Sequence, residues 1–170
     1  MRRLQAVALL CGLAATGGGC RYTVGSSLPP GLRSVFVPVF DNATRVVGLE
    51  GEVTAAVISE FQSEGALRPA AEKSADCTLR GKLVSYKRDK IRSGASGLAG
   101  VRDVTIRVEL SLEQRSDGKA LFEGLQVSSR RTDSTAGYFR IERGESERLG
   151  RERAVRALAK AIVRATVEYW

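Results

Sequence analysis

The residue with the most specific chemistry in this chain is Cys20, because of what precedes it. Met1-Arg2-Arg3 is a short positive start, Leu4 to Ala15 is almost wholly apolar, and Gly17-Gly18-Gly19-Cys20 closes the segment. That is the layout of an export signal. The apolar run is about a dozen residues, whereas a helix needs roughly 20 to cross the hydrocarbon core of a bilayer, so it is a signal segment and not a span. Three glycines before a cysteine resemble a bacterial lipobox, in which small residues let a peptidase cut before a cysteine whose sulfur carries a diacylglycerol. Gly17 stands where such boxes usually have Leu, and Cys11 is excluded by the bulky Leu10 before it. The alternative is an ordinary cut near Gly19 that leaves a soluble protein. With Cys20 acylated, two or three chains at about 0.8 kcal/mol per buried methylene give a stable tether. Arg21 occupies the position where Asp would favour retention at an inner membrane, so the expected location is the outer membrane, on its periplasmic side.

Other chemistry is sparse. The chain has no histidine, which excludes catalytic triads, imidazole bases and most zinc or haem sites. After removal of residues 1–19, only Cys77 remains besides Cys20, and no metal-ligand spacing exists, so neither a metal nor a cofactor is expected. Cys77 reads as a small buried apolar residue. A Ser-Lys or two-carboxylate site is chemically possible, but no spacing proposes one. Glu145, Glu147 and Glu152 near a helix start read as dipole-compatible surface charge, and the chain is not expected to be an enzyme. The net charge of +8 falls to +6 once Arg2 and Arg3 are lost, which favours anionic partners, nucleic acid being excluded by location.

The elements that must position any site follow from periodicity. Residues 20–33, with Gly25-Ser26-Ser27 and Pro29-Pro30-Gly31, form a tether, and residues 34–170 a single domain. Ser34 to Phe40 reads as a strand apolar on both sides, whose pairing Pro38 must end or confine to an edge. Asp41-Asn42-Ala43-Thr44 turns the chain. Leu49, Val53, Ala56, Val57 and Phe61 mark a helix over 48–63, stopped by Gly65. Ala75 to Arg88 alternates, with Cys77, Leu79, Gly81 and Leu83 on one face, Thr78, Arg80, Lys82, Tyr86 and Arg88 on the other, and Val84 out of place. Val104, Ile106, Val108, Leu110 and Leu112 repeat the pattern, and Ser116-Asp117-Gly118-Lys119 turns into a return strand over 120–131. In that strand Leu121, Leu125 and Val127 oppose Phe122, and neither face is clearly the buried one.

Between the alternating strands, Lys87 to Val101 reads as a long mobile tip with Lys87, Arg88, Lys90 and Arg92 at its root. A second loop covers 132–143. Leu149, Val155, Leu158, Ala159, Ile162 and Thr166 mark the last helix over 146–168. The order β-α-β-β-β-α predicts an α+β two-layer sandwich: a four-stranded mixed sheet with two helices on one face and the other face polar.

Cys20-Arg21-Tyr22, Leu28-Pro29-Pro30, the strand Val35 to Phe40 running into Asp41-Asn42-Ala43-Thr44, Gly48-Leu49-Glu50, and Ala75 to Gly81 together resemble the LptE family of lipopolysaccharide-assembly lipoproteins. The family commonly has Gly where this chain has Arg21. The resemblance implies a plug inside an LptD-type outer-membrane β-barrel that helps the barrel assemble and helps deliver lipopolysaccharide to the outer leaflet. Under it, Lys87, Arg88, Lys90 and Arg92 become contacts for anionic lipid or barrel, although the same four also read as a solvated strand end. The rival reading is a lipoprotein activator of a penicillin-binding protein, which also opens with an apolar strand before Asn and Thr. The leash from Cys20 to Ser34 is about 14 residues and reaches at most roughly 50 Å. That length suits work close to the outer membrane.

Overall fold

The computed structural model describes residues 28–90, 101–131 and 133–170. The export signal, Cys20, and residues 91–100 of the expected mobile tip, Arg92 among them, lie outside the described residues, whereas Lys87 to Lys90 and Val101, expected in that tip, are strand. The remaining chain forms β1 (Ser34–Phe36), β2 (Asp41–Asn42), α1 (Leu49–Glu64), β3 (Arg68–Pro69), β4 (Cys77–Lys90), β5 (Val101–Gln114), β6 (Ala120–Ser128), β7 (Tyr138–Arg140) and α2 (Glu147–Val167). The strands make one mixed sheet of order β3-β1-β4-β5-β6, with β2 on β4 and β7 on β5. Both helices cover the same face. The two-layer α+β architecture is as expected, but the sheet has seven strands and not four. The extra three are two or three residues long, too short to display a period of two, and each borrows its register from a long neighbour.

Pro38 acts as predicted. β1 pairs in parallel with β3 and β4 and ends at Phe36, and pairing resumes only at Asp41, in register with Lys82. Asp41-Asn42 is therefore a short strand as well as the start of a turn. The turn chemistry belongs to Asn42, whose Oδ1 accepts from the Thr44 N–H at 2.9 Å and whose Nδ2 donates to Val46 O and Glu50. α1 ends where Gly65 takes φ +81° and its N–H returns to Phe61 O.

Register shifts in the two long ladders set which side chains face the helices. Between Leu83 and Ser85 the β4–β5 register shifts by one residue, so Leu83 opposes Val108 while Tyr86 opposes Ile106. Val84 is the extra residue, which explains its break in the alternation, and every later side chain of β4 changes face. Tyr86 and Arg88, expected on the polar face, therefore lie on the helix side. On β6, Leu110 opposes Leu125 and Leu112 opposes Phe122, and Gly124 absorbs the added residue at φ +68°. Phe122, Leu125 and Val127 thus share the helix side, which resolves the ambiguity of that strand.

The core lies between this face and the helices. Leu79, Leu83, Ile106, Val108 and Leu112 meet Leu49, Val53, Val57 and Phe61 of α1 and Leu158 and Ile162 of α2. α2 is buried round most of its circumference, its alanines allowing close approach, so only Arg148, Glu152, Arg156, Lys160 and Arg164 form an exposed stripe at four-residue steps. Asp76 ties the start of β1 to β4: its Oδ2 accepts from the Arg33 and Ser34 N–H groups at 2.9 Å and from Ser34 Oγ at 2.7 Å. Phe40 fills the gap over Gly81, with ring atoms 2.5–2.8 Å from where a Cβ would stand. Gly81→Val should therefore lower stability by about 1–3 kcal/mol through overpacking, read as a reduced urea midpoint with an unchanged slope.

Candidate functional site

The uncovered face of the sheet is polar and largely satisfies itself. Arg80 lies 4.0 Å from Glu113, Lys82 stands opposite Glu109, and Gln126 donates to Glu109 at 3.0 Å. At the tip end this face is closed by residues 129–131 and 133–137. There Asp103 is buried, accepting from Thr105 Oγ1 at 3.1 Å with Arg130 at 3.7 Å, and its Oδ1 has no hydrogen-bond partner among the described residues. Gly137 passes so close that a Cβ there would strike Val104 O, and its own carbonyl accepts from the Val104 N–H at 3.1 Å. This part of the expected second loop is β7 and its approach, docked on the first residues of β5.

Of the predicted cations, Lys87, Arg88 and Lys90 fall among the described residues, at the end of β4. The pleat sends Lys87 to one face and Arg88 and Lys90 to the other. Arg88 donates to Glu147 Oε2 at 3.1 Å, and Tyr86 donates to Glu147 Oε1 at 2.9 Å, so Arg88 fastens the start of α2 to β4. Burial pushes the Glu147 carboxyl up, but the hydrogen bonds from Arg88 and Tyr86 and the charges of Arg88 and Arg151 outweigh it and hold the group below its usual range. Burial, then the bond to Glu147, raises the Tyr86 phenol. Glu147 is therefore a structural acceptor, not the plain surface charge expected. Lys87 and Lys90 stay exposed and have no hydrogen bond or ion pair among the described residues.

A cleft of about 500 Å³ opens at this edge, lined by Thr44, Arg45, Val84, Lys87, Arg88 and Glu147 among others. It exists because β2 leaves β4 at Asn42, so the outer edge of β4 beyond Val84 has no strand beside it. Exposed Arg45 adds a cation that sequence reasoning missed, and Val47, 93% exposed, stands two residues on. The signal for this region was Val84: a lone apolar residue on a polar face marks a bulge. Cys77, by contrast, is as expected. Burial and the neighbouring Asp76 push its thiol up to about 12, and its Sγ donates to Ser34 O at 3.3 Å. Among the described residues no group of three or more His, Cys, Asp or Glu could hold a metal ion, and no helix is long and apolar enough to cross a membrane.

A family model for LptE, lipopolysaccharide assembly, matches residues 32–166. The chain belongs to the LptE family. Membership gives a role in lipopolysaccharide assembly, and LptE proteins are assembly lipoproteins and not enzymes. No curated protein sequence matches the chain. Among solved structures, a PelC dodecamer from Paraburkholderia phytofirmans is similar at TM-score 0.51 and 14% identity, over 80% of this chain and 88% of that one. A hypothetical protein of Chlamydia trachomatis is similar at 0.51 and 10%, over 82% and 99%. A Xanthomonas campestris protein is similar at 0.50 and 15%, over 84% and 88%. At these identities the three share the fold, and the functional assignment rests on the family.

Two tests follow from the site. Because the folded state holds Glu147 below its ordinary value of 4.5, its contribution is complete above that value and is lost as pH falls through the lower folded one. Glu147→Gln should cost under about 1 kcal/mol at pH 7, the pair being partly exposed, and urea melts at lower pH should show the difference from the parent closing. Cys77 should resist iodoacetamide in the folded protein at pH 8 and react once urea unfolds it; labelling of the folded chain would contradict its burial.

Proposed function

We propose that this LptE-family chain is anchored by an acylated Cys20 in the periplasmic leaflet of the outer membrane and stands as a plug in the lumen of an LptD-type β-barrel. Within it, Lys87, Lys90 and Arg92, joined by Arg45 and with Arg88 as their structural support, face the phosphates of lipopolysaccharide. Residues 1–19 are the signal, 20–33 the tether and 34–170 the domain. The observation that carries the reading is the placement of the tether and the cations at opposite ends of one long ladder. Cys77, next to the Asp76 clamp on the tether, and Lys90 are the two ends of β4. Thirteen residue steps at about 3.3 Å put them roughly 43 Å apart. That matches the roughly 40–45 Å of a bilayer with its headgroup layers, so a domain standing upright in the lumen presents its tip at the outer leaflet while its foot stays at the anchor. The uncovered polar face supports the same reading, since it suits a wet lumen and not a hydrocarbon contact.

Purification of tagged, full-length protein from detergent-solubilised envelope should recover a large heat-modifiable barrel, and Cys20→Ala should lose it. Charge reversal at Lys87, Lys90 and Arg92 together should leave barrel recovery intact and reduce co-purifying lipopolysaccharide several-fold. Recovery of a penicillin-binding protein, or of no partner, would overturn the plug.

A further inference from the structure

Residues 129–160 carry nine Lys and Arg against five Asp and Glu, a net +4 of the +6 that residues 20–170 hold. The fold gathers most of them on one flank, where β7 and the residues before it pack along α2. The two meet at Gly150, where an added Cβ would stand 2.5 Å from the Phe139 ring and 2.9 Å from Gly137 O, and Arg153 donates to Tyr138 O at 2.8 Å. Farther along α2, a cleft of about 380 Å³ separates Asp133, Thr135 and Ala136 from Arg156, Ala157 and Lys160. Four of the five carboxylates already have partners. Asp133 accepts from the Thr135 N–H and Oγ1 at 2.8 Å, Glu145 from the Arg140 N–H at 2.6 Å and from Arg153 at 3.3 Å, Glu147 from Tyr86 and Arg88, and Glu152 lies 3.5 Å from Arg148. Arg151 pairs with Glu52 of α1 at 3.1 Å. Arg131, Arg140, Arg156 and Lys160 are exposed and have no side-chain hydrogen bond or ion pair among the described residues. The basic surface ends towards the foot, where Glu60 and Glu64 of α1 line the next cleft with Lys160 and Arg164.

We infer that this flank docks against acidic side chains on the inner wall of the barrel that surrounds the domain, with Arg156 and Lys160 at the centre of the contact. The inference rests on the plug reading proposed above and adds which side of the domain the wall holds. Height decides the partner. α2 starts at the tip, where Glu147 meets Arg88, and ends at Val167, about 30 Å away at about 1.5 Å per residue. Arg156 lies roughly 14 Å and Lys160 roughly 20 Å along it. On the plug reading that is between the two headgroup levels, where the neighbour of the domain is protein and the phosphates lie beyond either end. The chemistry suits a carboxylate, since the planar fork of an arginine holds one through two parallel hydrogen bonds and a lysine one turn away adds a point charge. The open face offers less, because Arg80 and Lys82 there already stand by Glu113 and Glu109.

The test uses tagged, full-length protein purified with its barrel from detergent-solubilised envelope. Arg156→Glu combined with Lys160→Glu should lower barrel recovery several-fold, and Arg156→Gln with Lys160→Gln should lower it less. Arg156→Lys with Lys160→Arg should keep it at the parent level. Ser59→Glu with Gln62→Glu changes net charge as much as the Gln pair but on exposed positions of α1, and should leave recovery unchanged. Both α2 side chains are exposed, so every variant should keep the urea midpoint of the parent. Raising salt from about 0.15 to about 1 M, which shortens the screening length from about 8 to about 3 Å, should narrow the gap between parent and charge-reversed protein. A photo-crosslinking phenylalanine analogue in place of Lys160 should join the barrel. Equal recovery by parent and charge-reversed protein, or a gap that ignores salt, overturns the docking flank and leaves the plug standing. A cross-link from position 160 to lipopolysaccharide in place of protein overturns the choice of partner. A parent that recovers no barrel overturns the plug and this inference together.

Discussion

Everything in this domain depends on one antiparallel ladder, β4 against β5, covered on one side only. Its fourteen-residue strands fix the long axis, and every other strand is added to one of them or to a neighbour. One-sided cover demands that apolar residues alternate with polar ones, since a one-residue slip would send the whole apolar set into water. Leu79, Leu83, Ile106, Val108, Leu110 and Leu112 meet that demand and are buried to within 1%. The helices then need only an apolar stripe each, and the close α1–α2 contact follows from the alanines of α2.

The bulges are what turn this regular ladder into a site. Had β4 continued its alternation past Leu83, Tyr86 and Arg88 would face the open side and Glu147 would have no cation above it. The extra residue at Val84 rotates them under the start of α2, where Tyr86 and Arg88 share one carboxylate. The same shift sends Lys87 to the open side beside Thr105. The clamp is thus the consequence of one inserted residue, and the cleft beside it of the departure of β2 from β4.

Long elements were legible in the sequence because periodicity accumulates with length. Both helices and the three long strands appear within a few residues of their expected bounds, and Gly65 and Gly118 take the positive φ that their positions suggested. What was not legible depended on neighbours. β2, β3 and β7 are strands only because a long partner offers them a register. Which face Lys87, Arg88 and Lys90 each take was not legible, because spacing along a chain does not report a bulge, although Val84 did mark the place where the alternation failed. Arg45 joins the cleft from a turn some forty residues away, a proximity no local pattern contains.

The distribution of charge separates two surfaces that an anionic partner could use. On the open face, Arg80 and Lys82 already have Glu113 and Glu109 within reach, so much of their attraction is satisfied within the sheet and a phosphate gains little by displacing a partner that is tethered in place. Such a surface tolerates water and suits contact through water, as a lumen wall requires. At the tip the balance differs. Arg88 is engaged by Glu147 and Asp89 offsets part of the charge, yet Lys87, Lys90 and Arg45 retain positive charge that no pairing within the described residues neutralises. On the proposed reading this end, the farthest from the tether, is the one that meets phosphate, and the roughly 43 Å between them is set by the same ladder that holds the core together.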